Sequence, residues 1–164
     1  MGYQHILILI YHDTILQNYL MNTLYSGLFV VIGAAAALEP GPGMVGYGAS
    51  KAASHYVVQS LGAMSGISLQ NKQKEFLPEE EYLNELTSVA ICPTILDTPS
   101  NRESMPYDPH TWIPLVDIAK QISLWIHQPQ MRPHPGSLIK ASRGSELLPP
   151  HAPTNLPTMF TLLR

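Results

Sequence analysis

Residues 28–51 read Leu28-Phe-Val-Val-Ile-Gly-Ala-Ala-Ala-Ala-Leu-Glu-Pro-Gly-Pro-Gly-Met-Val-Gly-Tyr-Gly-Ala-Ser-Lys51, and this stretch decides the fold class. Leu28–Ile32 is a continuous apolar run with β-branched residues. Such a run suits a strand buried on both faces, as in a parallel sheet covered by helices. A Gly/Ala/Pro-rich loop follows over 33–46, and a helix is predicted from about 47 to 65. Ala49, Ala53, Tyr56, Val57, Leu61 and Met64 repeat at helical spacing and form its expected buried stripe. The small residues from Gly48 to Ser54 permit close approach to a neighbouring element.

The alternation continues on both sides. Residues 13–25 are expected as a helix with Asp13 as N-cap, stopped by Ser26-Gly27. Thr87–Cys92 has the composition of a second buried strand, ended by Pro93. Residues 115–127 are expected as a helix with an apolar face of Val116, Ile118, Ala119, Ile122, Trp125 and Ile126. Residues 136–141 read as a short third strand. Strands alternating with helices predict an α/β fold, a doubly wound parallel sheet with flanking helices. Between these elements, residues 68–86 concentrate seven charged side chains in a predicted solvated insertion. Residues 93–114 hold five prolines and are too long for a plain connection, which suggests a lid or binding loop. From 149 to 164 the Pro-rich chain lacks periodicity and is expected to be unstructured. Residues 1–12 remain unassigned.

Composition narrows the function classes. The 164 residues carry a net charge of −3, with charged residues at only 13%. That balance speaks against a nucleic-acid or anionic-membrane surface, which needs a basic patch. The apolar run over 6–11 is too short for a signal peptide or a spanning helix. The single Cys92 excludes an internal disulfide and fits a reducing compartment. Seven histidines show no tight metal-ligand spacing, so no metal site is expected.

The pattern with most chemistry is Tyr47-Gly-Ala-Ser-Lys51. A spacing of four places both side chains on one helix face, with Cβ atoms about 5–6 Å apart. An ammonium beside a phenol favours the phenolate and would make Tyr47 a usable proton donor or acceptor near neutral pH. Alone the pattern is weak, and a buried Tyr beside an exposed Lys is the commoner explanation. A second pattern, Gly41-Pro-Gly-Met-Val-Gly46, formally fits a dinucleotide fingerprint. It lacks the acidic residue about 20 positions on, and Pro42 removes an N–H from the would-be phosphate cradle. No nucleophile elbow supports a hydrolase triad.

The order of these segments matches the short-chain dehydrogenase/reductase family. Within it, the chain resembles the dihydropteridine reductase branch through Gly43–Lys51, Pro93-Thr-Ile-Leu-Asp-Thr-Pro-Ser-Asn-Arg102, Ser104-Met-Pro106, Trp112-Ile-Pro-Leu115 and Gly136-Ser-Leu-Ile139. Most relatives in the wider family carry a serine thirteen residues before the tyrosine. Ala34 stands there, as in the narrower branch. The resemblance implies reduction of quinonoid dihydrobiopterin to tetrahydrobiopterin by NADH, with NADPH possible, in the cytoplasm. It casts Tyr47 and Lys51 as the catalytic pair, with both also contacting the nicotinamide riboside. It adds Pro93, Thr94, Leu96 and Thr98 as cofactor contacts and places the loop 99–114 over the pterin.

The resemblance covers about 28–140 and implies that the chain corresponds to a C-terminal catalytic half. The glycine-rich phosphate loop and the residues that choose between NADH and NADPH have no counterpart in it. A homodimer through helices 13–25 and 47–65 is expected on the same ground. The competing expectation is a non-catalytic interaction module or pseudoenzyme that uses that helical face.

Overall fold

The computed structural model describes residues 27–71, 86–105, 111–143 and 157–163, and of 65–71 the backbone alone. The expected helix at 13–25, most of the charged segment at 68–86 and the segment 1–12 lie outside the described residues.

Four strands form the main sheet: β1 (Leu28–Ile32), β2 (Thr87–Pro93), β5 (Ser137–Arg143) and β6 (Thr158–Leu163), in the order β1-β2-β5-β6. The first three are parallel, with Leu28 opposite Thr87 and Val89 opposite Ser137. β6 closes the far side antiparallel to β5, with Leu138 opposite Leu163. A second, two-stranded sheet pairs β3 (Leu96–Asp97) with β4 (Ile113–Pro114). The helices are α1 (Val45–Asn71), α2 (Pro99–Ser104) and α3 (Leu115–His127), with 3-10 turns at Ala35–Ala37 and Pro129–Met131.

All seven residues of β2 are buried, and their alternation divides the core in two. Val89 and Ile91 point to one face, where they meet Ile118 and Trp125 of α3 together with Ile113, Ile139 and Ala141. Ala90 and Cys92 point to the other, against Val58 of α1. A parallel strand covered on both sides is the arrangement that its apolar run Val89–Cys92 suits. Each Val or Ile side chain among these, moved out of water, stabilises the fold by about 1.5–3 kcal/mol. The result is a mixed α/β, partial Rossmann-like layer, with a mainly parallel sheet between α1 and α3.

α1 lies close on the sheet because Gly62 meets the Gly136 turn with no room for a side chain. A Cβ at Gly62 would stand 2.3 Å from both Cα and N of Gly136. Gly136 itself has φ +84°, a left-handed backbone that glycine adopts without strain. Ser88 supports this contact from the sheet. Its hydroxyl donates to the Val58 carbonyl at 2.9 Å and accepts from Gly136 N–H at 3.0 Å.

Three expectations need correction. The buried stripe of α1 is not Ala49, Ala53, Tyr56 and Met64: Ala49 and Ala53 are exposed, and Tyr56 is 71% exposed. Ser54, His55, Val58 and Leu61 face the sheet instead. These positions continue at helical spacing from Tyr47 and Lys51, so the helix rolls a partly polar face inward to bring that pair over the strand ends. On α3, Ile118 and Trp125 are buried while Val116 and Ile126 are exposed. Finally, the last third of the supposed unstructured tail is strand β6. Its four prolines all precede Thr158, leaving the N–H groups of 158–163 able to pair with β5.

Candidate active site

β1 and β2 both end on the same side of the sheet, and α1 starts beside them. Between these ends and the segment 94–105 lies a cleft of about 540 Å³. Its lining includes Tyr47, Lys51, Pro93, Thr94 and Leu96, so five of the six residues expected at the site come together there. Ligands of parallel α/β sheets bind at this end of the strands.

The wall on the α1 side is built from one helix face. Tyr47 sits in the first turn and is half exposed. One turn on, the Lys51 ammonium donates to the Ile32 carbonyl at the end of β1, at 2.9 Å. An ammonium has three donors, so this bond fixes the side chain and leaves two. Partial burial raises the Tyr47 phenol above its ordinary value. The expected lowering by Lys51 does not set the outcome. The Tyr47 hydroxyl therefore holds its proton at neutral pH and is a donor.

A further turn on, His55 is buried. Its Nε2 accepts the Ala34 backbone N–H at 3.3 Å and lies 3.3 Å from the Cys92 sulfur. Burial, with the Lys51 charge adding to it, lowers the His55 pKa. Burial pushes the Cys92 thiol up to about 11, against the opposing pull of the Ala34 hydrogen bond and of Lys51. Gly33 fits between strand and helix only as glycine, because a Cβ there would stand 2.3 Å from His55 Nε2 and 3.1 Å from Cys92 Sγ.

The opposite wall rests on local hydrogen bonds. Thr94 N–H donates to the Ala141 carbonyl at 3.0 Å, and Ile113 N–H to the Ile95 carbonyl at 2.8 Å. Thr98 caps α2: its hydroxyl accepts the Asn101 N–H at 3.2 Å, and Pro99 occupies the first turn. The Asn101 amide donates to the Leu96 carbonyl at 2.8 Å. Asp97 and Arg102 form a two-bonded ion pair on the surface, with one contact of 2.7 Å. Arg102 accordingly holds the Asp97 carboxyl below the usual range.

Thr98 is not among the residues that line the cleft, being committed to the α2 cap. The structure adds Met44, Asn101 and Met105 to the walls. Their segments were already conspicuous, since Met44 abuts the Tyr/Lys motif and Asn101 and Met105 lie in the proline-rich loop. His55 had a signal too, as the next position on the Tyr47 and Lys51 face. Its partners Ala34 and Cys92 are 21 and 37 residues away in sequence, so no local pattern joins them.

The Gly41–Gly46 loop forms a turn into α1. Met44 N–H turns back to the Gly41 carbonyl, and Gly43 takes φ +86° in the turn that leads into α1. The described residues thus fit the nicotinamide riboside end of a dinucleotide, with a lysine ammonium, a phenol and strand-end backbone at hand.

Over 124 residues the chain is 37% identical to dihydropteridine reductase of Dictyostelium discoideum, an alignment covering 74% of this chain and 47% of that protein. The chain thus spans about half the length of the curated relative it matches. No family model matches the chain.

Proposed function

We propose, for a chain that is dihydropteridine-reductase-like in sequence, that the cleft is the catalytic half of a pterin-reducing oxidoreductase site. The observation that carries this reading is the joining of Tyr47, Lys51 and the Pro93–Leu96 segment in one cleft at the strand ends.

A nicotinamide dinucleotide, NADH or alternatively NADPH, supplies the hydride when bound. The chain's own residues do the rest. Lys51, anchored on the Ile32 carbonyl, keeps donors for the ribose hydroxyls beside Tyr47. Tyr47 delivers the proton that must accompany hydride addition to a dihydropterin, and its raised pKa keeps that proton in place until it is needed. Pro93 ends β2 and turns the backbone of Thr94 and Leu96 along the cleft. Thr94 offers its carbonyl and hydroxyl to the carboxamide, because its N–H is already bonded to β5. Thr98 would reach towards the phosphates with the proton of its hydroxyl, whose oxygen already caps α2. Met44 and Met105 give the apolar surface on which a flat heterocycle can lie, with Asn101 beside them in the lining.

The same reading includes a homodimer through the segment 13–25, expected as a helix, and α1. Along α1, Val45, Ala49, Ala52 and Tyr56 form an exposed apolar strip that supports a helix partner. Among the described residues no helix is long and apolar enough to cross a membrane. The resemblance and the single buried cysteine support a cytoplasmic enzyme.

The test is turnover of quinonoid dihydropterin with NADH. Tyr47→Phe should slow it by roughly 10²–10⁴-fold while leaving the melting temperature close to that of the parent chain. Equal turnover in the two chains would remove Tyr47 from the reaction. An inert parent chain that still dimerises would favour the interaction-module reading.

A further inference from the structure

Three hydrogen bonds hold the exit of β1, two of them to side chains on one face of α1. Lys51 takes the Ile32 carbonyl and His55 takes the Ala34 N–H, while the Gly33 N–H between them donates to the Ile91 carbonyl at 2.7 Å. Ile32, Gly33 and Ala34 are all cleft lining. The backbone that floors the cleft is therefore set by side chains behind it, and His55 is the member that reaches it from inside the core.

We propose that His55 is a positioning residue, a neutral imidazole that fixes the floor of the cleft at Gly33–Ala34 through Nε2. This proposal takes its functional meaning from the reading above, but the tether itself is a property of the folded chain. A backbone N–H can only donate, so the bond from Ala34 requires a bare Nε2 and places the ring proton on Nδ1. The Cys92 sulfur lies 3.3 Å from the same nitrogen, on β2. Protonation would turn Nε2 into a donor facing a donor, and the ring would have to leave Ala34. The surroundings oppose this. His55 is buried, the Lys51 charge stands on the same helix and Cys92 faces it from β2. β1 carries no ionisable side chain, and the loop after it carries one, Glu39. Gly33 completes the device, since any side chain there would fill the space the ring needs.

Holding this floor sets the distance between the strand end and Tyr47 without touching either reactant. The consequence is an acid-sensitive cleft in a fold that is otherwise intact. His55→Gln keeps an acceptor oxygen near the place of Nε2, whereas His55→Leu keeps bulk and removes the acceptor.

The experiment is backbone amide exchange followed by NMR on the whole chain, with the imidazole tautomer read from its nitrogen shifts. The expected result is a protonated Nδ1 and an Ala34 amide protected at neutral pH. That protection should fall at least tenfold as His55 takes up a proton, while amides of β2 stay protected. The Gln variant should keep Ala34 protection with no acid limb, and the Leu variant should lack it at every pH. If the Leu variant does not fold, the pH titration of the parent chain and the Gln variant decides the matter alone. An Ala34 amide whose exchange ignores both pH and the Leu substitution, or a proton found on Nε2, overturns the proposal. NADH titration of the same samples separates the two claims. Binding weakened about tenfold in the Leu variant and kept in the Gln variant ties the tether to the cleft's use. A parent chain that binds no NADH counts against the oxidoreductase reading, while the exchange data still decide the tether.

Discussion

The two walls of the cleft are built on different principles. The wall of α1 and the β1 exit is part of the core: Lys51 and His55 grip strand-end backbone, Gly33 leaves no space for another atom, and at the other end of the strands Gly62 locks the same helix onto Gly136. The wall at 94–105 is a run of short elements held by a cap, a two-residue ladder and an exposed ion pair. Changes in the first wall are therefore felt by the whole fold. Changes in the second alter the shape of the cleft and leave the core intact.

That contrast can be broken at named positions. The largest effect is expected at Gly62→Ala, where the added methyl would meet backbone atoms of Gly136 that cannot rotate away. A loss of about 3 kcal/mol or more is expected in urea unfolding. Gly33→Ala comes next, at about 1–3 kcal/mol, because the clashing atom belongs to a side chain, though a buried and bonded one. It should also free the Ala34 amide to exchange. If Gly33→Ala proves as stable as the parent, the interlocked character of this wall is refuted. The smallest effect is expected from Arg102→Ala on the other wall. Exposed ion pairs contribute little, so the unfolding midpoint should hardly move at neutral pH. The sign of its pH dependence is fixed by the lowered Asp97 pKa. The pair's small contribution is present above the carboxyl's unfolded value and is lost as pH falls through the folded one. A large loss of stability in Arg102→Ala would show that the second wall, too, is part of the core.

The same contrast explains what could be read from sequence. Strand Leu28–Ile32 and helix Leu115–His127 agree with their observed bounds, because each is a compact apolar run set off by turn residues, although β1 is only partly buried and the helix buries fewer residues than its apolar face holds. The Tyr/Lys spacing likewise fixed a helix face. What that face packs against was not legible. The Ala/Tyr/Met stripe of α1 is the more apolar one, yet it is exposed, since the sheet meets Ser54, His55 and Val58 instead. The choice is made by strand ends that lie far away in sequence. β6 was missed for a related reason: six residues after a proline cluster become a strand only because β5 offers them an antiparallel edge. The His55–Ala34–Cys92 cluster joins three elements that nothing in the chain's order connects. Cleft residues on the second wall were easier to anticipate as a group than one by one. Thr98 shows why: its hydroxyl serves the α2 cap rather than the lining.

The central claim is that Tyr47, Lys51 and the β2 exit form a nicotinamide-binding cleft, and titration of the purified chain with NADH, followed by nicotinamide fluorescence, tests it most directly. The account predicts saturable binding that is weakened at least tenfold in Lys51→Ala, with α1 still folded by circular dichroism. A chain that shows no saturable binding at millimolar NADH, or a Lys51→Ala chain that binds as well as its parent, would contradict it.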